Sequence, residues 1–167
     1  ATITDGKFDM PAKDVTISGD WTANSDTAYK VEHYKQDLDG ESYTLADTDN
    51  LSGTTGATAT AAEKTYEGFT YDETVEGTVK SGTIAGDGSL VLKLYYTRNS
   101  YKVTYNYTTD VTGESELPAE ATYKYGAEVT VAAAATASGY TFTGWTTSDA
   151  TITDGKFDMP AKDVTIS

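Results

Sequence analysis

The chain has 167 residues, with 26 Asp and Glu against 12 Lys and Arg for a formal net charge of −14, no Cys and a single His. That acid excess argues against nucleic acid and against anionic membranes as partners, because both reward Lys and Arg that neutralise phosphate. Lack of Cys excludes disulfide frameworks, thiolate metal sites and Cys nucleophiles, and His33 alone cannot supply a multi-histidine metal site.

Taken in chain order, residues 1–18 (ATITDGKFDMPAKDVTIS) recur unchanged as residues 150–167, an offset of 149. Identity on that scale reads as a recent tandem duplication, so the chain is one full period and the start of the next. With Ala1 where an initiator Met would stand, it reads as a slice of a longer array. The first copy is then the remnant of a preceding module. It is expected to be ordered by packing on the next module or by pairing with a neighbouring molecule's sheet edge. Tyr29 to Tyr34 reads as a strand, Asp37-Leu38-Asp39-Gly40 as a turn, and Tyr43 to Leu45 as its partner. Gly86-Asp87-Gly88 leads into Leu90, Leu92 and Leu94, which share one face of a strand.

Beyond Asn99, Tyr101, Val103, Tyr105 and Tyr107 alternate with Lys102, Thr104 and Asn106, the pattern of a half-buried strand. Thr108 to Glu120, polar and carrying Gly113 and Pro118, is a connection. A strand is expected over Tyr123 to Val131, a helical turn over Ala132 to Ala137 halted by Ser138-Gly139, and a third strand over Tyr140 to Trp145. Asp154-Gly155 is a hairpin-type turn before Lys156 to Met159, and Val164 and Ile166 mark a last strand.

A weaker repeat lies inside the period. Tyr29-Lys30-Val31 matches Tyr101-Lys102-Val103 at an offset of 72, and Glu67-Gly68-Phe69-Thr70-Tyr71 matches Ser138-Gly139-Tyr140-Thr141-Phe142 at 71. The chain therefore divides into a remnant with linker (1–27), a first module (28–99) and a second (100–167). Strand, strand, short helical turn, strand, strand implies a mostly β (α+β) fold of two tandem β-grasp modules, with a plain β-sandwich as the alternative. Modules of about 70 residues sit near the lower limit for a lone core, so neighbours should support one another.

Gly139 to Trp145 (GYTFTGW) followed by Met159 to Ile166 (MPAKDVTI) resembles the signature of the Listeria-Bacteroides repeat, or internalin-type B repeat, family. The first module, through Tyr29 to Tyr34, Gly53 to Gly56, Lys64 to Tyr71 and Leu90 to Asn99, is more loosely similar to mucin-binding-protein (MucBP) repeats. Both resemblances imply ubiquitin-like β-grasp folds in bacterial surface proteins, arranged as stalks or adhesive repeats, with no catalytic residues to carry over. They imply an extracellular, wall-attached parent protein. Its partners would be adjacent repeats and, in the alternative reading, host glycans or mucin.

Residue by residue, the chemistry is sparse. Asp37-Leu38-Asp39-Gly40-Glu41 superficially suggests a calcium loop, but an EF-hand needs a Glu where Thr48 stands, and Asp-Gly is a strong turn pair. His33 has no nucleophile partner and reads as an ordinary strand residue. Exposed Tyr could stack on sugar rings, although each Tyr singly is more at home in core or cross-strand packing. Lys and Asn could in principle form an isopeptide crosslink, but no constellation with a buried carboxylate is visible. The expected function is thus a non-enzymatic spacer in a surface adhesin, without cofactor or metal, with weak multivalent glycan binding as the alternative.

Overall fold

A computed structural model describes residues 2–167. Eleven strands account for its regular structure: β1 Thr27–Gln36, β2 Tyr43–Gly53, β3 Thr58–Thr60, β4 Phe69–Tyr71, β5 Ser81–Thr83, β6 Val91–Arg98, β7 Ser100–Tyr105, β8 Ala121–Lys124, β9 Glu128–Thr130, β10 Lys156–Asp158 and β11 Val164–Ile166. They form four small sheets, ordered β2-β1-β6-β4, β3-β5, β11-β7-β8 and β10-β9.

The expectation of α+β, β-grasp modules, each carrying a helical turn, is overturned. Among the described residues there is no helix, and the strands are split over several small sheets. The Ala132 to Ala137 run is irregular because six residues cannot cover the cost of helix nucleation, and side chains have already claimed its backbone. Tyr105 Oη accepts from Ala132 N at 2.9 Å, Trp145 Nε1 donates to Ala133 O at 2.9 Å, and Ser115 Oγ accepts from Thr136 N at 3.2 Å.

Two further local expectations change. The strand expected over Tyr123 to Val131 is two strands, β8 and β9, because Gly126 takes φ 75° and turns the chain between them. Tyr140 to Trp145 is not a strand. Its counterpart in the first half, β4, pairs with Tyr96, Thr97 and Arg98, which lie two to four residues past Leu94. The residue equivalent to Leu94 is Ile166, and among the described residues no strand pairs with Tyr140 to Trp145.

Two cores result. In the first, β1 runs parallel to β6 with Val31 opposite Leu92, and alternation turns Val31, His33, Leu92, Leu94 and Tyr96 inward. The β3-β5 ribbon covers them with Ala59, Ala61 and Ile84. Close approach of that ribbon requires Gly82, where a Cβ would stand 2.8 Å from a Leu90 methyl. In the second, β7 runs parallel to β11 with Val103 opposite Val164, each 72 residues after its counterpart in the first. Tyr105 and Ile166 complete that face, and the β9-β10 ribbon covers it with Val129, Phe157 and Met159. The weak sequence repeat is thus a repeat of register as well as of residues.

The duplicated 18-residue segment meets two fates. In both copies the two-residue turn forms, with Asp5 at φ 49° and Gly6 at 74° against Asp154 at 52° and Gly155 at 73°. In the second copy Phe157, Met159, Val164 and Ile166 are buried; in the first, Met10 is 68 % and Ile17 63 % exposed. Residues 2–18 do not pack on the first core, contrary to one branch of the expectation. Ala1 lies outside the described residues.

Candidate functional site

The first notable site is the joint between the halves. β6 and β7 are separated by Asn99 alone, so one nearly continuous strand passes from the first core into the second. Asn99 is held on both sides: its N donates to Gly68 O at 2.9 Å, and its O accepts from Tyr125 N at 2.8 Å. Thr70 Oγ1 donates to the Asn99 side-chain oxygen at 2.8 Å.

Arg98, the chain's single Arg, links three elements. Its Nη1 donates to Tyr125 O at 2.7 Å and its Nε to Gln36 O at 3.1 Å, while Gln36 Oε1 accepts from its backbone N. The guanidinium lies 4.8 Å over the Phe69 ring, and Phe69 meets Tyr125 edge-on at 5.8 Å. Gly68, at φ 76°, leaves room for the Tyr125 ring; a Cβ there would stand 2.2 Å from it. Lys124 reaches the β1-β2 turn at Gly40. Sequence reading missed this joint, although a lone Arg, with five fixed donors, at a module boundary was a signal.

The second site is a groove of about 440 Å³ in the second half. Tyr107 stacks on Trp145 at 5.7 Å and 18°, and Phe142 meets Trp145 edge-on at 4.8 Å. Tyr140 stands 61 % exposed beside them, and Ser167 is among the lining residues. The rings stand among polar side chains, Asn106, Glu114 and several Thr, so the groove offers both flat apolar faces and hydrogen-bonding groups. The residues expected as a third strand are the ones that line it.

The residues singled out for chemistry are used structurally. His33 is fully buried; Lys64 N donates to Tyr96 Oη at 2.9 Å, Tyr96 Oη lies 3.0 Å from His33 Nδ1, and His33 Nε2 lies 3.1 Å from Asp49. This order places the ring proton on Nε2, and both nitrogens are committed. Lys64 bridges Asp47 and Asp49, and its ammonium holds both carboxyls below the usual range while they raise its own pKa. Asp39 accepts from the Ser42 hydroxyl and from the Glu41 and Ser42 amides, which holds its carboxyl at about 2. With Thr44 on Asp37 and Gly40 at φ 80°, the Asp37 to Glu41 segment is a tight turn whose carboxylates serve the turn itself. Lys30 and Asn50 face each other across β1 and β2, both exposed, in water that gives an isopeptide reaction no buried carboxylate. Among the described residues no cluster of His, Asp and Glu could hold a metal ion.

Comparison with known families bears on the half that holds the groove. Residues 101–167 match the divergent InlB B-repeat domain. That agrees with the resemblance read from Gly139 to Trp145 and Met159 to Ile166. The match does not extend to the first half, so it does not show the likeness to mucin-binding-protein repeats. No curated protein matches the chain. Among the described residues no helix is long and apolar enough to cross a membrane.

Proposed function

We propose that this chain is a non-enzymatic repeat segment of a bacterial surface protein, acting as a spacer whose small β units are joined in series. The observation that carries the reading is the strand shared by β6 and β7, with Asn99 hydrogen-bonded to both halves. A joint one residue long, clamped by Arg98 and Tyr125, transmits the orientation of one unit to the next, which a flexible linker does not. The B-repeat match supports a surface repeat protein, and the exact duplication of residues 1–18 supports a tandem array. Wall attachment of the parent and adjacent repeats as partners belong to the same reading. The net charge of −14 keeps neighbouring arrays apart in this reading.

Solution scattering on chains of one, two and three periods tests it. The maximum dimension grows linearly with period number if the array is stiff; growth as the square root overturns the spacer reading.

The stacked Tyr107 and Trp145 favour a second reading, in which each period carries a weak glycan site made useful by multivalency. Glycan binding by the chain that disappears in Trp145→Ala supports it, and absence of binding by both single and tandem chains removes it.

A further inference from the structure

β1 opens the first half and β6 closes it, and the two lie side by side, parallel, in the middle of the β2-β1-β6-β4 sheet. Six facing pairs run from Lys30 with Val91 to Lys35 with Tyr96. Because the strands are parallel, the chain enters at one end of this ladder, at Thr27, and leaves at the other, past Arg98. Tension along the chain therefore pulls β1 and β6 in opposite directions along their own axes. All six pairs are loaded together, in shear, and no single pair takes the force first.

Side chains oppose that sliding on both faces of the sheet. On the inner face Val31, His33, Leu92, Leu94 and Tyr96 are buried, and His33 Nδ1 lies 3.0 Å from Tyr96 Oη across the pair. A slip of one residue would turn this whole set to the other face, so the nearest acceptable register lies two residues, about 6.6 Å, away. On the outer face Tyr34 sits opposite Tyr95 and stacks on it at 5.0 Å and 17°, and Tyr43 of β2 meets Tyr95 edge-on at 5.2 Å. These three rings belong to neither core cluster, and their contacts exist in one register only. Both ends of the ladder are tied as well. Lys30 N donates to Leu90 O at 3.0 Å where the chain enters, and Arg98 Nε donates to Gln36 O, on the last residue of β1, where it leaves.

We propose that the first half is a load-bearing unit, in which the parallel β1-β6 pair is a clamp against tension passed along the chain and the Tyr34-Tyr95 stack holds its register. The direction of load rests on the reading of the units as joined in series; the stiffness of the array does not enter. Resistance to pulling follows from the barrier met along the direction of pull and not from equilibrium stability. A small sheet can thus melt easily and still be strong in tension. The same sheet also contains the opposite geometry. β2 is an edge strand antiparallel to β1, with Gly53 facing Thr27 at the open end of the hairpin. Drawn apart at that end, β2 peels from β1 one pair at a time.

The absence of Cys allows pulling handles to be placed at chosen residues of the full chain. Ser25→Cys/Ser100→Cys loads β1 against β6, and Ser25→Cys/Thr54→Cys opens the β1-β2 end; all three positions are exposed. Denaturant unfolding should agree between the two variants, so that a difference in force reports direction alone. In optical tweezers at one loading rate, the first variant is expected to rupture at a force at least about twofold higher than the second, because its pairs fail together. The rupture should be a single step that frees the whole first half, about 20–25 nm of chain. Tyr95→Thr added to both variants should narrow the ratio of the two forces, and an unchanged ratio overturns the part assigned to the stack. Equal forces in the two variants, or rupture of the first in several small steps, overturns the clamp. Either result leaves the spacer reading to scattering, since an array can be stiff in solution and weak under load.

Discussion

His33 shows why residue type alone did not reveal its role. Its neighbours in sequence suggested an ordinary strand position, and only the parallel register of β1 with β6 brings it to Tyr96 and only the β1-β2 pairing to Asp49. His33→Ala removes a buried ring and leaves the Tyr96 hydroxyl with Lys64 N as its remaining partner. Chemical denaturation should find the first half destabilised by about 2–4 kcal/mol, with the β7 amides of the second half still protected. Nearby, the Lys64 bridge sets a pH dependence. Asp47 and Asp49 have carboxyls depressed by the Lys64 ammonium, so their contribution is present above the ordinary Asp value of about 4 and is lost as pH falls through the depressed values. Lys64 is raised, so its contribution is complete below its ordinary value of about 10.4 and fades as pH rises through the raised one. Thermal midpoints should be flat between those limits and fall on the acid side. In Lys64→Gln the acid limb becomes shallower; an unchanged limb would show that other carboxylates control it.

Among the elements, the sequence was most readable where structure is local. The Asp-Gly turn forms with nearly the same φ in the copy that packs into a core and in the one that does not, so the segment specifies it without tertiary packing. The alternating faces of β1, β6, β7 and β11 were equally legible, because period two follows from the pleat. Failure came where an element depends on a partner. Ala132 to Ala137 carried helix propensity but was too short to use it, and Tyr140 to Trp145 had strand alternation without the strand that β4 finds at Tyr96 to Arg98. The partners at the joint were hidden for the same reason, since Gly68 and Tyr125 meet only after both halves fold, and Arg98 alone marked the place. Gly68→Ala should test its tightness. A side chain at φ 76° costs about 1–2 kcal/mol, and the Cβ would collide with the Tyr125 ring. Loss of hydrogen-exchange protection at the Asn99 and Tyr125 amides is expected, with Leu94 and Val103 still protected; intact protection at all four would mean that the joint yields without opening.

For the whole molecule, the balance lies between two cores that are each small and a joint that couples them. Each half closes its own apolar cluster, so neither needs residues of the other to exclude water from its centre. What passes between them is directional: the bond from Arg98 to Tyr125, the Phe69 to Tyr125 contact, and the backbone bonds at Asn99. Hydrogen bonds of this kind contribute little net stability each but fix angles, so their loss should appear in shape before it appears in melting. Arg98→Ala provides that separation. It keeps the β6-β7 backbone and both cores while removing the donor to Tyr125 across the joint, the donor to Gln36 and the cation over Phe69. Scattering from the variant should report a broader distribution of maximum dimension than the parent, and the contrast should increase with the number of periods because angular errors accumulate along a series. Calorimetry should move by only about 1–3 kcal/mol, in the range of buried hydrogen bonds to a charged group. An unchanged distance distribution in a three-period chain would mean that orientation is held by the backbone at Asn99 alone, whereas collapse of both halves would mean that the cores depend on each other in a way their separate clusters do not require.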